Sequence, residues 1–342
     1  MHNGTPPMRP TVVDMNSDLG PGSSSSQAGP GRSQGVPPRI AILMCTYNGA
    51  SYLEQQLESF AAQTFSNWTL YVSDDGSTDE TRGILTAFRA RWGAERLIIF
   101  EGPRRGFAAN FISLVQRPEV TGEYFAFSDQ DDVWFSEKLA RSLSRLTPAG
   151  ETKPALYCSR TRIVGADKRV IGKSPLFAKP PSFQNALVQS IAGANTMLIN
   201  QAARSLLIHL PPKVEVVAHD WLTYLLVTGC GGEVIYDACP SLDYRQHGGN
   251  LIGANATLTD RLVRFRGMLS GRFAKWNDAN LEILFGMAPK LSESNKTVLG
   301  NFSHTREDHL IKRISALRKA GVYRQTLPGN LSLFLAVLLG RL

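Results

Sequence analysis

Residues 124–134 read YFAFSDQDDVW, an apolar run that ends in a cluster of carboxylates. The apolar part, from Tyr124 to Phe127, has the length of a strand that is buried on both faces. Asp129 and Asp131 follow it in an Asp-x-Asp spacing, from which their oxygens can converge on a hard divalent cation. Acidic residues after a strand also form solvated or capping turns. The stretch therefore predicts a strand with a candidate metal site at its end.

The chain before this stretch alternates short apolar runs with amphipathic segments. The apolar runs predict three further strands, at 40–44, 69–73 and 97–100. Two capping-box spacings, Ser51 with Glu54 and Ser77 with Glu80, predict the starts of two helices, and residues 107–115 predict a third. Strands that alternate with helices in this way predict an α/β fold with a doubly wound, parallel sheet.

Polar motifs follow three of the four predicted strands. They are TYNG at 46–49, DDGS at 74–77 and the carboxylates at 129–132. Doubly wound sheets bind their ligands outside the carboxyl ends of the strands, so we expect the three motifs to form one site. Neither the GxGxxG fingerprint nor the GxxxxGK loop follows the first strand. Their absence argues against a dinucleotide oxidoreductase and against a P-loop nucleotidase.

Composition and charge bound the class of protein. The 342 residues are 43% hydrophobic, as in a globular protein, and carry a formal net charge of +8. This charge suggests an anionic partner, which is a nucleic acid, a phosphorylated ligand or an anionic membrane. The four cysteines form no CxxC pair and are interpreted as reduced core residues. Residues 1–38 are rich in Gly, Pro and Ser and lack the apolar stretch of a secretory signal, so we predict a disordered cytoplasmic tail.

The motifs resemble those of the family 2 glycosyltransferases with the GT-A fold, particularly bacterial rhamnosyltransferase-like members that build surface polysaccharides. The resemblance rests on TYNG at 46–49, Gln55 and Gln63 before Thr64, DDGSTD at 74–79, Asn110-Phe111, SDQDDVW at 128–134, HDW at 219–221, YRQH at 244–247 and Asn250. It implies a Rossmann-like nucleotide-binding sheet, mostly parallel, with helices on both faces and a C-terminal helical extension. This domain covers residues 39–253, with a nucleotide-sugar half at 39–147 and an acceptor half at 148–253.

The resemblance also implies a nucleotide-sugar site. Asp74 or Asp75 would accept hydrogen bonds from the edge of the base, although Asp-Asp-Gly is also ordinary turn chemistry. Asp131 would ligate Mg²⁺ or Mn²⁺ between the two donor phosphates, and Asp129 would meet the ribose, the metal or a metal-bound water. The other implied contacts to the donor are Thr46, Tyr47, Asn48 and Gln130. For the metal, the further candidates are His247 and an assisting Asp132, and a lone histidine is as often structural.

Asp220 is the candidate catalytic base. Transfer with inversion needs a group that takes the proton from the acceptor hydroxyl while the sugar carbon is attacked opposite the diphosphate. Asp220 lies at the start of a predicted helix, where the alternative role is an N-cap. The candidate acceptor contacts are Trp134, Asn195, Thr196 and Trp221. Either tryptophan can equally belong to the core.

Residues 254–342 form a basic region for which we predict helices. Its last apolar run, residues 331–339, is too short for a bilayer span, which needs about 20 apolar residues. Basic residues beside an apolar helical face predict contact with the inner-membrane surface, where lipid-linked acceptors reside, and hence a peripheral protein on the cytoplasmic face. The alternative is a helical extension that closes the core or pairs subunits.

These patterns together predict a metal-dependent inverting glycosyltransferase. By resemblance, it would move a sugar, rhamnose in particular, from a nucleoside-diphosphate sugar to a hydroxyl of a surface polysaccharide or lipid-linked glycan. One alternative is a nucleotidyltransferase, which usually carries a glycine-rich basic loop where this chain has TYNG at 46–49. Another is a non-catalytic nucleotide-sugar-binding protein, which needs no base at Asp220. We expect no nucleic-acid partner, because the acidic site would repel a phosphate backbone.

Overall fold

The computed structural model describes residues 37–210, 214–246, 272–307 and 309–342. Within these ranges the strands form a seven-stranded and a four-stranded sheet. The strands are β1 (Ile40–Thr46), β2 (Trp68–Asp74), β3 (Leu97–Glu101), β4 (Tyr124–Ser128), β5 (Val133–Trp134), β6 (Ala155–Ser159), β7 (Arg162–Val164), β8 (Val170–Lys173), β9 (Leu198–Asn200), β10 (Glu233–Asp237) and β11 (Leu242–Arg245). The predicted disordered tail at 1–38 falls, apart from its last two residues, outside the described residues, as does His247.

The helices lie between the strands and then follow one another after the last strand. They are α1 (Ala50–Ala61), α2 (Thr81–Trp92), α3 (Phe107–Gln116), α4 (Lys138–Leu146), α5 (Phe183–Ala186), α6 (Gln201–Ile208), α7 (His219–Gly229), α8 (Arg272–Gly286), α9 (Glu293–Ser303), α10 (Leu310–Ala320) and α11 (Leu327–Leu338). None of the helices in the described residues is long and apolar enough to span a membrane.

The large sheet has the strand order β10-β6-β9-β4-β1-β2-β3. Its neighbours pair in parallel, except that β9 runs antiparallel to both β4 and β6. The predicted mostly parallel α/β sheet is therefore confirmed. In the ladder, Thr46 pairs with Asp74, and Met44 pairs with Ser128. The carboxyl ends of β1, β2 and β4, which carry the three polar motifs, consequently lie side by side.

Helices cover both faces of this sheet, and β1 shows why. Alternate residues of a strand point to opposite faces. Ala41 and Leu43 accordingly pack in one apolar cluster, which includes side chains of α3, α6 and α7. Ile40 and Ile42 pack in a second cluster with side chains of α1, α2 and α4. Because both faces are covered, the strand is a continuous apolar run, which is why the sequence reveals it so clearly.

The four-stranded sheet was not predicted. Its order is β5-β11-β7-β8, and β11 pairs antiparallel with β5 and parallel with β7. Strand β5 is only Val133–Trp134, the last two residues of the SDQDDVW motif. The residues that follow the acidic motif are therefore held against β11, the strand that ends at Arg245.

Both predicted capping boxes are wrong. Helix α1 begins at Ala50, and neither α1 nor α2 has a side-chain cap from its N-cap residue. The free N–H groups at the start of α1 are instead satisfied by the next loop. The Gly49 N–H donates to Thr81 Oγ1 at 2.8 Å, and the Ala50 N–H donates to Asp79 Oδ2 at 3.1 Å. A long-range partner thus replaces the local one that Ser51 was expected to supply.

The C-terminal helices close the core, which is one of the two alternatives that the sequence left open. Buried side chains from each of the four helices join the cluster that also contains Leu43 of β1. Representative members are Leu284 of α8, Phe302 of α9, Ala320 of α10 and Val337 of α11. The described part of the predicted region 254–342 therefore packs on the same core as the sheet.

Candidate active site

The loops after β1, β2 and β4 are joined by hydrogen bonds. The Tyr47 N–H donates to Gln130 Oε1 at 2.9 Å, and Gln130 Nε2 donates to the Tyr47 carbonyl at 3.0 Å. The Thr78 N–H donates to Asn48 Oδ1 at 2.8 Å, and the Asn48 N–H donates to Ser77 Oγ at 2.9 Å. The Tyr47 side chain is 59% exposed, so its ring offers an apolar face at this edge.

Asp74 is an internal anchor. It is 1% exposed and accepts hydrogen bonds from Thr46 Oγ1 at 2.9 Å, from Arg82 Nε at 2.9 Å and from the Ser77 N–H at 2.9 Å. Burial alone would raise the pKa of Asp74, but the bonds from Ser77, Arg82 and Thr46 outweigh it and lower the pKa. Thr46, itself 1% exposed, therefore holds Asp74 and has almost no surface on which to contact a ligand.

Asp75 is held by the loop after β3. Its Oδ1 accepts from the Arg104 N–H at 2.6 Å, and its Oδ2 accepts from the Gly106 N–H at 2.9 Å. Asp75 is 9% exposed, against 1% for Asp74. Of the two aspartates between which the sequence could not choose, Asp75 is the less deeply buried.

Gly102 allows this loop to approach Asp75. A Cβ at position 102 would lie 2.8 Å from Asp75 Oδ1, 2.8 Å from Asn110 Oδ1 and 2.9 Å from the Asp74 carbonyl. We expect Gly102→Ala to lower the free energy of unfolding by about 1–3 kcal/mol, because overpacking forces these groups apart. Urea unfolding measures this change. Gly172→Ala is the matched control, because a Cβ there meets nothing within 4 Å. Equal stability of the two variants would contradict the expectation.

The acidic turn gathers mutually repelling carboxylates. Asp129, Gln130 and Asp131 are partly buried after β4. The pKa of Asp129 is raised to about 7. Burial is the main cause, and the charges of Asp131 and Asp220 add to it. Three carboxylates within electrostatic reach of one another are costly unless a cation or protons neutralise them.

Asn195 supports this turn from inside. Asp132 is 0% exposed, and its Oδ2 accepts from Asn195 Nδ2 at 2.6 Å. Burial, together with the charges of Asp129 and Asp131, raises the pKa of Asp132 well above its ordinary value. Lys138 is also buried, and burial lowers its pKa to about 7 although the Asp132 charge opposes the shift. Asn195 thus orients a buried carboxylate.

The structure does not give the four candidate acceptor contacts an open surface. Asn195, Thr196, Trp134 and Trp221 are 2%, 0%, 3% and 6% exposed, respectively. The Trp134 ring packs edge-on against Phe60 at a centroid distance of 4.6 Å. Trp221 Nε1 donates to the Ala186 carbonyl at 2.6 Å. Of the two alternatives for Trp134 and Trp221, acceptor contact or core, the structure therefore favours the core for both.

Asp220 lies in the first turn of α7 and is not its N-cap, which is Ala218. Its Oδ1 accepts from the Trp221 N–H at 2.8 Å, and the helix N-terminus favours its charge. Burial nevertheless raises the pKa of Asp220 to about 6. The neighbouring His219 stacks on Phe111 at a centroid distance of 3.9 Å, and burial lowers its pKa to about 3. The imidazole is consequently neutral at neutral pH.

Arg245 is a site residue to which the sequence assigned no role. It is 2% exposed at the end of β11. Its Nε donates to the Asp131 carbonyl at 3.1 Å, its Nη2 donates to Gln55 Oε1 at 2.8 Å, and its Cζ lies 4.6 Å from the Tyr52 ring centroid. It therefore fixes the backbone of the acidic turn against α1. The available signal was that Gln55 and Arg245 both lie in family motifs.

Replacing Arg245 with Lys should loosen the acidic turn, because an ammonium group cannot make both hydrogen bonds and the ring contact. A hydrogen bond from a charged group contributes about 1.5–3 kcal/mol, so we expect metal-dependent nucleotide binding to weaken about 10- to 100-fold. Calorimetry measures this affinity. Arg162→Lys is the control, because Arg162 lies in the same sheet but pairs with Asp243. Equal loss in both variants would show a general effect on the sheet.

The acidic turn fits a hard divalent cation. Asp132 Oδ1 is buried and has no hydrogen-bond partner in the described part of the chain, and the Asp132 carboxyl lies within electrostatic reach of Asp129 and Asp131. In the described ranges, no group of three or more His, Cys, Asp or Glu side chains is arranged so that it could hold a metal ion by itself. Mg²⁺ does not need one, because it commonly uses one or two carboxylates, waters and substrate phosphates. His247, the other candidate ligand, lies outside the described residues.

The known proteins to which this chain is similar include several glycosyltransferases. Residues 41–196 match the family described as Glycosyl transferase family 2. The dTDP-rhamnosyl transferase RfbG of Shigella flexneri is 24% identical over 232 residues, which are 65% of this chain and 77% of that protein. The putative teichuronic acid biosynthesis glycosyltransferase TuaG of Bacillus subtilis is 26% identical over 48% of this chain and 63% of its own length.

A solved structure shares the fold. The crystal structure of S. aureus TarS 1-349 aligns with a TM-score of 0.50 at 16% identity, over 82% of this chain and 80% of that one.

Proposed function

We propose that this chain, whose residues 41–196 match the family described as Glycosyl transferase family 2, transfers a sugar from a nucleoside-diphosphate donor to a hydroxyl of a surface polysaccharide or lipid-linked glycan, with inversion. The observation that carries the proposal is the convergence of Asp75, Asp129, Asp131 and Asp220 at the carboxyl edge of one parallel sheet. A nucleotide, a cation and a base are needed together for this reaction, and the edge offers a side chain for each.

The donor is proposed to be dTDP-rhamnose. The support is the similarity to a protein named as a dTDP-rhamnosyl transferase. For the base of the nucleotide, the exposed ring of Tyr47 offers a stacking face and Asp75 offers a carboxylate oriented by two backbone N–H groups. Asp74 and Thr46 are assigned a supporting role, because they bond to each other and are almost fully buried.

Asp129 and Asp131 would hold Mg²⁺ or Mn²⁺, with His247 as a further candidate. The cation, when bound, supplies positive charge for the diphosphate leaving group, whose negative charge grows in the transition state. Arg245 and Gln130 keep the backbone of the turn in place through the bonds to the Asp131 carbonyl and to Tyr47. Because these supports are buried or paired, the turn is ordered before the donor arrives.

Asp220 acts as the general base. It takes the proton from the acceptor hydroxyl as that oxygen bonds to the anomeric carbon. The bond from this carbon to the diphosphate breaks on the opposite side, and its electron pair leaves with the nucleoside diphosphate. A pKa of about 6 leaves Asp220 mostly ionised at neutral pH while making it a stronger base than an ordinary aspartate.

With a lipid-linked glycan as its acceptor, the protein would act at the cytoplasmic face of the membrane, where such glycans are built. The similarity to a protein named for teichuronic acid biosynthesis supports a polysaccharide product. The alternatives are a nucleotidyltransferase and a non-catalytic nucleotide-sugar-binding protein. Neither has a use for a partly buried carboxylate with a raised pKa at the position of Asp220.

Calorimetric binding of dTDP, UDP and GDP, each with and without Mn²⁺, tests the donor site. We expect Mn²⁺-dependent binding of one nucleotide, dTDP, and transfer from dTDP-rhamnose with inverted anomeric configuration in the product. Tight Mn²⁺-dependent binding of UDP or GDP in place of dTDP would replace the proposed donor. If none of the three binds under either condition, the assignment of the acidic turn is overturned.

A further inference from the structure

Helix α11 is apolar on both of its faces. Its buried face consists of Leu333, Ala336 and Val337. On the other face, Leu327, Leu331 and Phe334 recur at spacings of four and three and are 85%, 62% and 41% exposed. A helix that is apolar all round is normally covered on every side. Among the described residues, nothing covers this second face.

Helix α10, which packs against α11, combines apolar and basic side chains on its surface. A shallow groove along it is lined by Ile311, Ile314, Ser315, Arg318 and Lys319. Ile311 is 83% exposed, and both Arg318 and Lys319 are exposed. Apolar and cationic groups thus share one surface.

The positive charge of the protein is concentrated here. Residues 309–342 contain six Lys or Arg and no Asp or Glu, so they carry six of the eight net positive charges of the chain. Lys312 pairs with Glu307 at 3.6 Å, and Arg324 is turned inward, with its Cζ 4.6 Å from the Phe273 ring. The exposed cations are Lys312, Arg318 and Lys319 on α10, and Arg341 just after α11.

We propose that the outer faces of α10 and α11 bind an anionic lipid surface. Apolar side chains such as Leu327 and Ile311 enter the boundary between headgroups and acyl chains, and Arg318 and Lys319 contact the anionic headgroups. A second copy of the chain fits this surface less well. A two-fold dimer would bring the same basic helices face to face without acidic partners on them.

This proposal rests on the proposed function in one respect, which is that a lipid-linked acceptor would be reached at a membrane. The experiment is flotation of the full chain with vesicles of phosphatidylcholine alone or with added phosphatidylglycerol. We expect binding only to the anionic vesicles, and weaker binding at high salt. Leu327→Gln/Leu331→Gln should reduce binding at least about tenfold, and Arg318→Gln/Lys319→Gln should reduce it about fivefold per lost charge.

Matched controls lie on the four-stranded sheet. Val170→Gln/Ile171→Gln removes two apolar side chains that are 59% and 57% exposed, and Lys168→Gln/Lys173→Gln removes two exposed charges. Both controls should float like the wild type, and circular dichroism verifies the fold of every variant. Equal binding of all variants, or no binding by the wild type, would overturn the proposal.

Two further readouts separate the causes of failure. Light scattering that shows a dimer, lost in Leu327→Gln/Leu331→Gln, would assign the surface to a second copy of the chain instead. Mn²⁺-dependent binding of dTDP, measured on the same samples, reports on the donor site alone. A wild type that binds dTDP but not the anionic vesicles contradicts the lipid surface, and a wild type that binds the vesicles but not dTDP contradicts the proposed donor.

Discussion

Asp220→Asn is expected to lower kcat by about 10²- to 10⁴-fold while leaving the affinity for dTDP and Mn²⁺ within about threefold. The amide keeps the shape of the carboxylate and the acceptor oxygen for the Trp221 N–H, but it cannot take a proton from the acceptor hydroxyl. Single-turnover transfer and calorimetry measure the two quantities. The control is Asp167→Asn, which changes an exposed carboxylate. Unchanged transfer by Asp220→Asn would remove Asp220 from the mechanism.

The pH dependence of the wild type should report the same group. A base must be ionised, so kcat should rise with pH through about 6, the value to which burial raises the pKa of Asp220. The remaining kcat of Asp220→Asn should not rise with pH in this range. A rise with an unchanged midpoint in the variant would assign the titration to another group.

The free energy of unfolding should fall over the pH range in which kcat rises. The folded-state pKa of Asp220 is raised above an unfolded value near 3.9, so the folded chain favours its protonated form. Its contribution to stability is full below about pH 4 and is lost as the pH rises through about 6. At pH 8 and without metal, Asp220→Asn should therefore be at least as stable as the wild type in urea. A large loss of stability there would mean that the lost activity reflects unfolding.

Asp131→Ala should abolish the metal-dependent part of nucleotide binding and lower kcat/KM by about 10²- to 10³-fold, because a cation supplies several kcal/mol to a charged transition state. The same substitution removes one of the charges that raise the pKa of Asp129. The pKa of Asp129, followed by nuclear magnetic resonance in the metal-free protein, should fall. This shift is measurable even if the variant has no activity.

Asp167→Ala, which removes an exposed carboxylate, should keep both the metal dependence and the pKa of Asp129. If Asp131→Ala retained Mn²⁺-dependent binding of dTDP, the acidic turn would not be the metal site. If binding were lost but the pKa of Asp129 did not fall, the two carboxylates would not interact as the structure places them.

The parallel core of the fold was predictable because its strands are covered on both faces. Burial on two sides makes each strand a continuous apolar run, and the observed bounds of β1 and β4 extend the predicted ones by only one or two residues. The convergence of the three polar motifs followed from the geometry of a parallel sheet. The four-stranded sheet lacked such a signal, because β5 has two residues and β8 is largely exposed.

The errors in the site have one physical cause, which is that sequence spacing does not reveal long-range partners. Ser51 fitted a capping box, but the N–H groups of α1 found Thr81 and Asp79 instead. Trp134 was a candidate acceptor contact with the core as its alternative, and its ring packs edge-on against Phe60 in the core. Arg245 had no assigned role, because its partner Gln55 is 190 positions away along the chain.

The carboxylate of Asp79 serves two helices at once, since Oδ2 accepts from the Ala50 N–H of α1 and Oδ1 accepts from the Thr81 N–H of α2. Opening the first turn of either helix therefore takes one partner away from a carboxylate that also holds the start of the other helix. In hydrogen exchange, the amides of Ala50 and Thr81 should open as one cooperative unit, with a single opening free energy. A nucleotide that contacts only Tyr47 would then slow exchange at Thr81 as well, so the two loops would respond to the donor together.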